Sequence, residues 1–82
     1  MTTTGIQATT APKAVGHYPH ARRVGGLLYL SGIGPRDPAD DSIPGNEYFA
    51  NGRLHRYDIQ AQTRAVLGNV RAVLATSGAR WE

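Results

Sequence analysis

Eighty-two residues, 40% of them apolar, describe one small domain at most, and a chain of this size buries only about 60% of the surface its unfolded form exposes. The absence of cysteine excludes disulfides and thiolate metal sites and fits a reducing compartment. The formal net charge of +3 comes from eight arginines and one lysine scattered along the chain, which excludes a basic tail.

The first residues carry neither the charged segment nor the apolar segment of a secretory signal, and no apolar run approaches the length of a membrane span. A cytoplasmic protein is expected. Residues 1–10 are rich in threonine and alanine and read as a flexible or edge-strand segment centred on Ile6. Residues 13–20, punctuated by Gly16 and Pro19 after Pro12, read as irregular backbone. "ARRVGGLLYLSG" predicts a hairpin across Gly25-Gly26 with a type I′ or II′ turn. Its second arm, Leu27-Leu28-Tyr29-Leu30, has no polar alternation and predicts a central strand buried on both faces, or on one face plus an interface. Residues 32–46, with their prolines and glycines, predict a loop, in which Asp37, Asp40 and Asp41 read as solvated turn formers. Asn51-Gly52 signals a second hairpin, although its arms are polar.

From Asp58 to Gly78 the pattern is helical. Asp58 is the expected N-cap and Gly78 the expected terminator. Ile59, Val66, Val70 and Val73 fall on one stripe beside Leu67 and Leu74, and Arg64 and Arg71 project away from it. Gly68 inside such a helix costs about 1 kcal/mol relative to alanine if exposed. A long helix over one firm hairpin is a narrow basis for a core, so further strands are expected to pair with Leu27–Leu30.

His17 and His20, with His55, raise the question of zinc. They lie on irregular backbone without acidic or cysteine ligands nearby, so they read as surface or pocket histidines and no metal is expected. "SGIGP" lacks the third glycine of a dinucleotide fingerprint and no helix follows it. Ser31 is not in a nucleophile elbow. It either satisfies backbone groups at a strand end or presents a hydroxyl to a pocket beside Gly32 and Ile33, where small residues let a ligand approach the backbone. Tyr18 is either a half-buried core tyrosine or a pocket wall whose phenol meets a polar ligand.

"APKAVGHYPHARRVGGLLYLSGIGPRDP" and "YDIQAQTRAVLGNVRAVLATSGARWE" together resemble the RidA (YjgF, L-PSP) family. The resembling stretches are Ala11 to Tyr18, Val24 to Gly32, Gln62 to Leu74 and Gly78 to Trp81. Within that family "GHYPHA" and "SGIGPRDP" look like the 2-aminomuconate deaminase branch. The resemblance implies an α+β, chorismate-mutase-like fold of antiparallel hairpin strands plus one long helix. Residues 1–82 would form a single partial domain, its C-terminal half lying outside this sequence. It implies cofactor-independent hydrolysis of an enamine or imine in the breakdown of aromatic compounds, a dicarboxylate substrate, and a homotrimer with pockets between subunits. Tyr18 and Ser31, with the Gly32 backbone, match the family's substrate-binding positions. The family's carboxylate-binding arginine and its acidic residue match no position here, so the catalytic groups stay unassigned and the isolated chain is expected to be impaired. Two other readings stay open. One is a general RidA-type deaminase of 2-iminobutanoate or 2-iminopropanoate. The other is a non-catalytic or RNA-associated fragment, against which the lack of an interleaved aromatic and basic platform weighs.

Overall fold

The computed structural model describes residues 3–81. Met1, Thr2 and Glu82, and with them the ends of the expected N-terminal segment and of the Trp-Glu stretch, lie outside the described residues. Strands β1 (Thr3–Ile6), β2 (Ala21–Val24) and β3 (Leu27–Leu30) form an antiparallel sheet in the order β1-β2-β3. Strands β4 (Glu47–Tyr48) and β5 (Leu54–Arg56) form a separate hairpin, and helix α1 (Ile59–Thr76) follows it. The α+β class expected from the sequence is the class found.

Val24 pairs with Leu27, so Gly25-Gly26 is a two-residue turn. Gly25 has φ 58 while Gly26 stays outside the left-handed region, which selects type II′. The edge strand anticipated around Ile6 is β1, paired from Ile6↔Ala21 to Thr3↔Val24. That pairing corrects the reading of Leu27–Leu30 as a central strand. The central strand is β2, and β3 has no strand on its other side among the described residues. Leu28 packs against the core, whereas Leu27 and Tyr29 are 61% and 57% exposed. An apolar run records what its surroundings are in the finished fold, and here one flank and one face are uncovered.

Asp58 caps α1 from extended backbone, its carboxylate accepting from the Gln60 and Ala61 amides at 2.9 and 3.2 Å. At the other end Gly78 (φ 81) donates to the Ala75 carbonyl and Ala79 to the Leu74 carbonyl, the paired bonds of a Schellman motif. Arg23 on β2 donates to the Ser77 carbonyl, setting a cation against the negative end of the helix dipole. Replacing Asp58 by alanine should cost about 1 kcal/mol, read as a lower midpoint in urea.

The buried apolar core consists of Ala8, Ala11, Ala21 and Val73, with Ile6, Leu28, Ile33 and Ala72 packed around it. The expected helix stripe is only partly realised. Burial on α1 is confined to Asn69 and Val73, while Ile59 and Leu67 stay 64% and 51% exposed because nothing among the described residues covers them. Gly68 is exposed, and a Cβ there would meet no atom within 4 Å.

The β4–β5 hairpin is longer-looped than a two-residue Asn-Gly turn. A register shift lies between Glu47 and Tyr48, Tyr48 pairs with Leu54, and the Phe49 amide donates to the Arg53 carbonyl at 2.8 Å, which leaves a three-residue loop, 50–52, with Gly52 (φ 85) in the left-handed region. Its residues are exposed throughout, held by an Arg56–Glu47 ion pair at 3.0 Å and by a tilted contact of Phe49 with His55, ring centroids 4.4 Å apart. No helix among the described residues is long and apolar enough to cross a membrane.

Candidate functional site

One pocket of about 160 Å³ lies where the irregular segment before β2 meets the loop leaving β3, with Val73 of α1 as its apolar floor. Tyr18, Ser31 and Gly32, the three positions expected to touch substrate, all line it. They are joined there by His20, Arg36 and Lys13.

The segment's path is fixed by His20. Its Nδ1 accepts from the Ala8 amide at 3.0 Å, so the ring proton must sit on Nε2, which donates to the Pro12 carbonyl at 2.6 Å. The imidazole thereby brackets residues 8 and 12 against the start of β2. This is a structural employment, and it separates His20 from the other histidines. His17 is exposed and His55 belongs to the β4–β5 hairpin. Among the described residues no three histidine or acidic side chains gather as a metal set.

Tyr18 turns back through a bond from its amide to the Gly16 carbonyl at 2.9 Å. A Cβ on residue 16 would stand 2.9 Å from the Tyr18 ring, so the glycine makes room for the ring to fold over the chain. Tyr18 is 42% exposed, which fits a wall better than a core residue.

Ser31 continues the hairpin, its amide donating to the His20 carbonyl at 3.0 Å and its Oγ to the Pro19 carbonyl at 2.6 Å. Both sequence-level readings of Ser31 therefore describe one geometry. The hydroxyl proton is committed to the backbone, and the oxygen keeps lone pairs that accept from a ligand's N–H or O–H. Gly32 and Gly34 lie outside the left-handed region, and a Cβ on either would meet nothing within 4 Å. Neither backbone conformation nor packing within this chain requires glycine there.

The loop beyond is anchored by Asn69, a polar side chain inside the apolar stripe of α1 and only 6% exposed. Its amide donates to the Gly34 and Arg36 carbonyls at 2.9 and 2.8 Å, tying the far wall of the pocket to the helix. Arg36 in turn donates to the Lys13 carbonyl and pairs with Asp41 at 3.0 Å, which closes the mouth from loop to loop. Asp37 and Asp40 cap the turn in between, accepting from the Ala39 and Ser42 amides. Hydrogen bonds from Ser42, side chain first and backbone second, hold the exposed Asp40 carboxyl below the usual carboxylate range. Whatever those bonds contribute to the turn is fully present above the ordinary carboxylate pKa and is lost as the pH falls through the lowered one.

Sequence reasoning missed Arg36 and Asn69. Asn69 left a signal, an amide at helical spacing between Val66, Val70 and Val73, where only a partnered polar group is tolerated. Arg36 left none, because nothing in "GPRDP" distinguishes it from a surface arginine.

Residues 8–82 match the family described as Endoribonuclease L-PSP. A RutC family protein of Sulfurisphaera tokodaii is 38% identical over 68 residues, 83% of this chain and 46% of that protein. The protein DfrA of Myxococcus xanthus is 37% identical over 81 residues, 95% of this chain and 53% of that protein. Among solved structures, TdcF of Escherichia coli with bound serine superposes with a TM-score of 0.75 at 28% identity, covering 95% of this chain and 52% of that one. The Rid-family protein YyfA of Yersinia pestis superposes at 0.73 with 35% identity, covering 98% and 55%. The chain thus spans about half the length of the relatives it matches.

Proposed function

The chain belongs to the Endoribonuclease L-PSP (RidA/YjgF) family, and from that membership we propose that it supplies one wall of a pocket for the hydrolytic deamination of a carboxylate-bearing enamine, 2-aminomuconate. The observation that carries this reading is the meeting of Tyr18, Ser31 and Gly32 at a single pocket with an apolar floor. Serine bound to the related TdcF adds support, because it is a small amino acid with a carboxylate.

The chemistry asks little beyond positioning and proton movement. The enamine tautomerises to an imine, water adds to the imine carbon, and ammonia leaves as the carbonyl forms. No cofactor is required by this sequence of steps. The Ser31 oxygen accepts from the substrate's amine or from the attacking water. The Tyr18 phenol offers a donor at the opposite wall, and Gly32 lets the substrate lie against the backbone. The groups that activate water are assigned to no residue of this chain. The same reading includes a homotrimer with pockets between subunits, for which the exposed apolar side chains of β3 are a suitable surface.

Ammonia release from 2-aminomuconate and from 2-aminoacrylate, measured in parallel, tests the proposal. The expected result is a rate above buffer that is greater with 2-aminomuconate. A greater rate with 2-aminoacrylate would favour the general RidA-type reading. Replacing Gly32 by alanine should leave the fold intact, since a Cβ there meets nothing within 4 Å. It should lower that rate on the order of 10²-fold by displacing the substrate. The family's description favours one other reading, action on RNA. Cleavage or salt-sensitive retention of an RNA oligonucleotide, with no ammonia from either enamine, would transfer the function to it.

A further inference from the structure

Arg36 lines the pocket with a side chain 28% exposed. Its bonds to Asp41 and to the Lys13 carbonyl use two of the five N–H donors of the guanidinium. The carboxylate that holds it is 61% exposed. That carboxylate comes from the one non-glycine residue with positive φ among the described residues, Asp41 at φ 62. The turn is closed around it by the Asp41 amide on the Asp37 carbonyl and the Asp37 amide on the Ser42 carbonyl, both at 2.8 Å. Aspartate tolerates the left-handed region better than most residues, yet the conformation still costs energy. An ion pair this exposed returns little stability. Fold stability accounts for the bond to the Lys13 carbonyl, but not for the pairing with a solvated carboxylate on a strained turn. The arrangement has the chemistry of a receptor whose guest carboxylate replaces a resident one on the same planar fork.

Resting on the deaminase reading above, we propose that Arg36 binds the second carboxylate of a dicarboxylate substrate by exchange with Asp41, and so selects dicarboxylate over monocarboxylate enamines. This role is additional to the carboxylate-binding arginine that the family resemblance implies outside this sequence. The chain's positive charge suits a dianionic guest.

The probes are trans,trans-muconate and sorbate, which share a six-carbon diene and differ in the second carboxylate. Each is titrated into the 15N-labelled chain while the amides of Tyr18, Ser31 and Gly32 are followed. Muconate should bind about tenfold more tightly than sorbate, the worth of one charge-assisted contact. In Arg36→Gln, which keeps an amide donor for the Lys13 carbonyl, the preference should vanish through loss of muconate affinity alone. In Asp41→Asn, which is equally at ease in left-handed backbone, muconate should bind several-fold more tightly and sorbate as before. A preference that survives Arg36→Gln overturns the proposal, as does equal weakening of both ligands, which would make Arg36 a strut of the wall. If Arg36→Gln does not fold, unchanged muconate affinity in Asp41→Asn overturns it as well. In each of these cases the ligands still bind and the deaminase reading stands. If neither probe moves the pocket amides, the deaminase reading fails and this inference with it.

Discussion

Replacing Asn69 by leucine should destabilise the chain by about 2–4 kcal/mol, because two partly buried carbonyls then lose the donors that a buried side chain supplies. For a chain of this size that is a fall in Tm of at least about 10 °C. Leucine keeps the branched shape and heavy-atom count of asparagine but is bulkier, so the loss reads the hydrogen bonds together with some overpacking. Asn69 bonds the carbonyls of Gly34 and Arg36, which flank the pocket's far wall. The damage should therefore be local first. Hydrogen exchange at Ile33, Gly34 and Arg36 should rise more than in β2, and affinity for a pocket ligand should fall with it. A loss below about 0.5 kcal/mol would show that water reaches the two carbonyls and replaces the side chain.

Val73 to alanine should cost about 2–3 kcal/mol, from lost transfer energy and from the cavity left behind. Val73 is 0% exposed, and the other buried apolar residues are the alanines at 8, 11 and 21. The alanines are too short to lean into a void, which leaves relaxation to the surrounding Ile6, Leu28 and Ile33. The control is Leu67 to alanine on the exposed part of α1, expected to change stability by less than about 0.5 kcal/mol. Urea midpoints at constant slope would compare the two. Equal losses would mean that Leu67 is covered in solution, by another copy of the chain or by another polypeptide.

These two residues also mark what was legible. The caps of α1 were readable because they depend on neighbours within a turn. Asp58 and Gly78 do what any aspartate before and any glycine after such a helix would do. The Gly25-Gly26 turn was readable for the same reason. The site was legible in half. Tyr18, Ser31 and Gly32 were pocket candidates by residue type and local context and were matched by a family resemblance, while their meeting at one pocket is a matter of geometry. Arg36 could not be read, since its interest arises from Lys13 and Asp41, one of them in another loop. Burial was the least legible property. The apolar run of β3 and the stripe of α1 predicted contact on faces that the described residues leave open.

The sequence by itself determined the local order of this protein: where the hairpins turn, where the helix starts and stops, and that the class is α+β. Those features rest on φ preferences, caps and hydrogen bonds spanning a few residues, and such forces are complete within the segment that carries them. Tertiary structure alone decided which strand is central, which helix turns are covered, and that an asparagine and a histidine fix the walls of a pocket that an arginine also lines. Those outcomes depend on groups far apart in the chain, as Asn69 is from Gly34 and Arg23 from Ser77. Hydrophobic burial is non-directional, so an apolar side chain specifies that it be covered and leaves the partner to the fold.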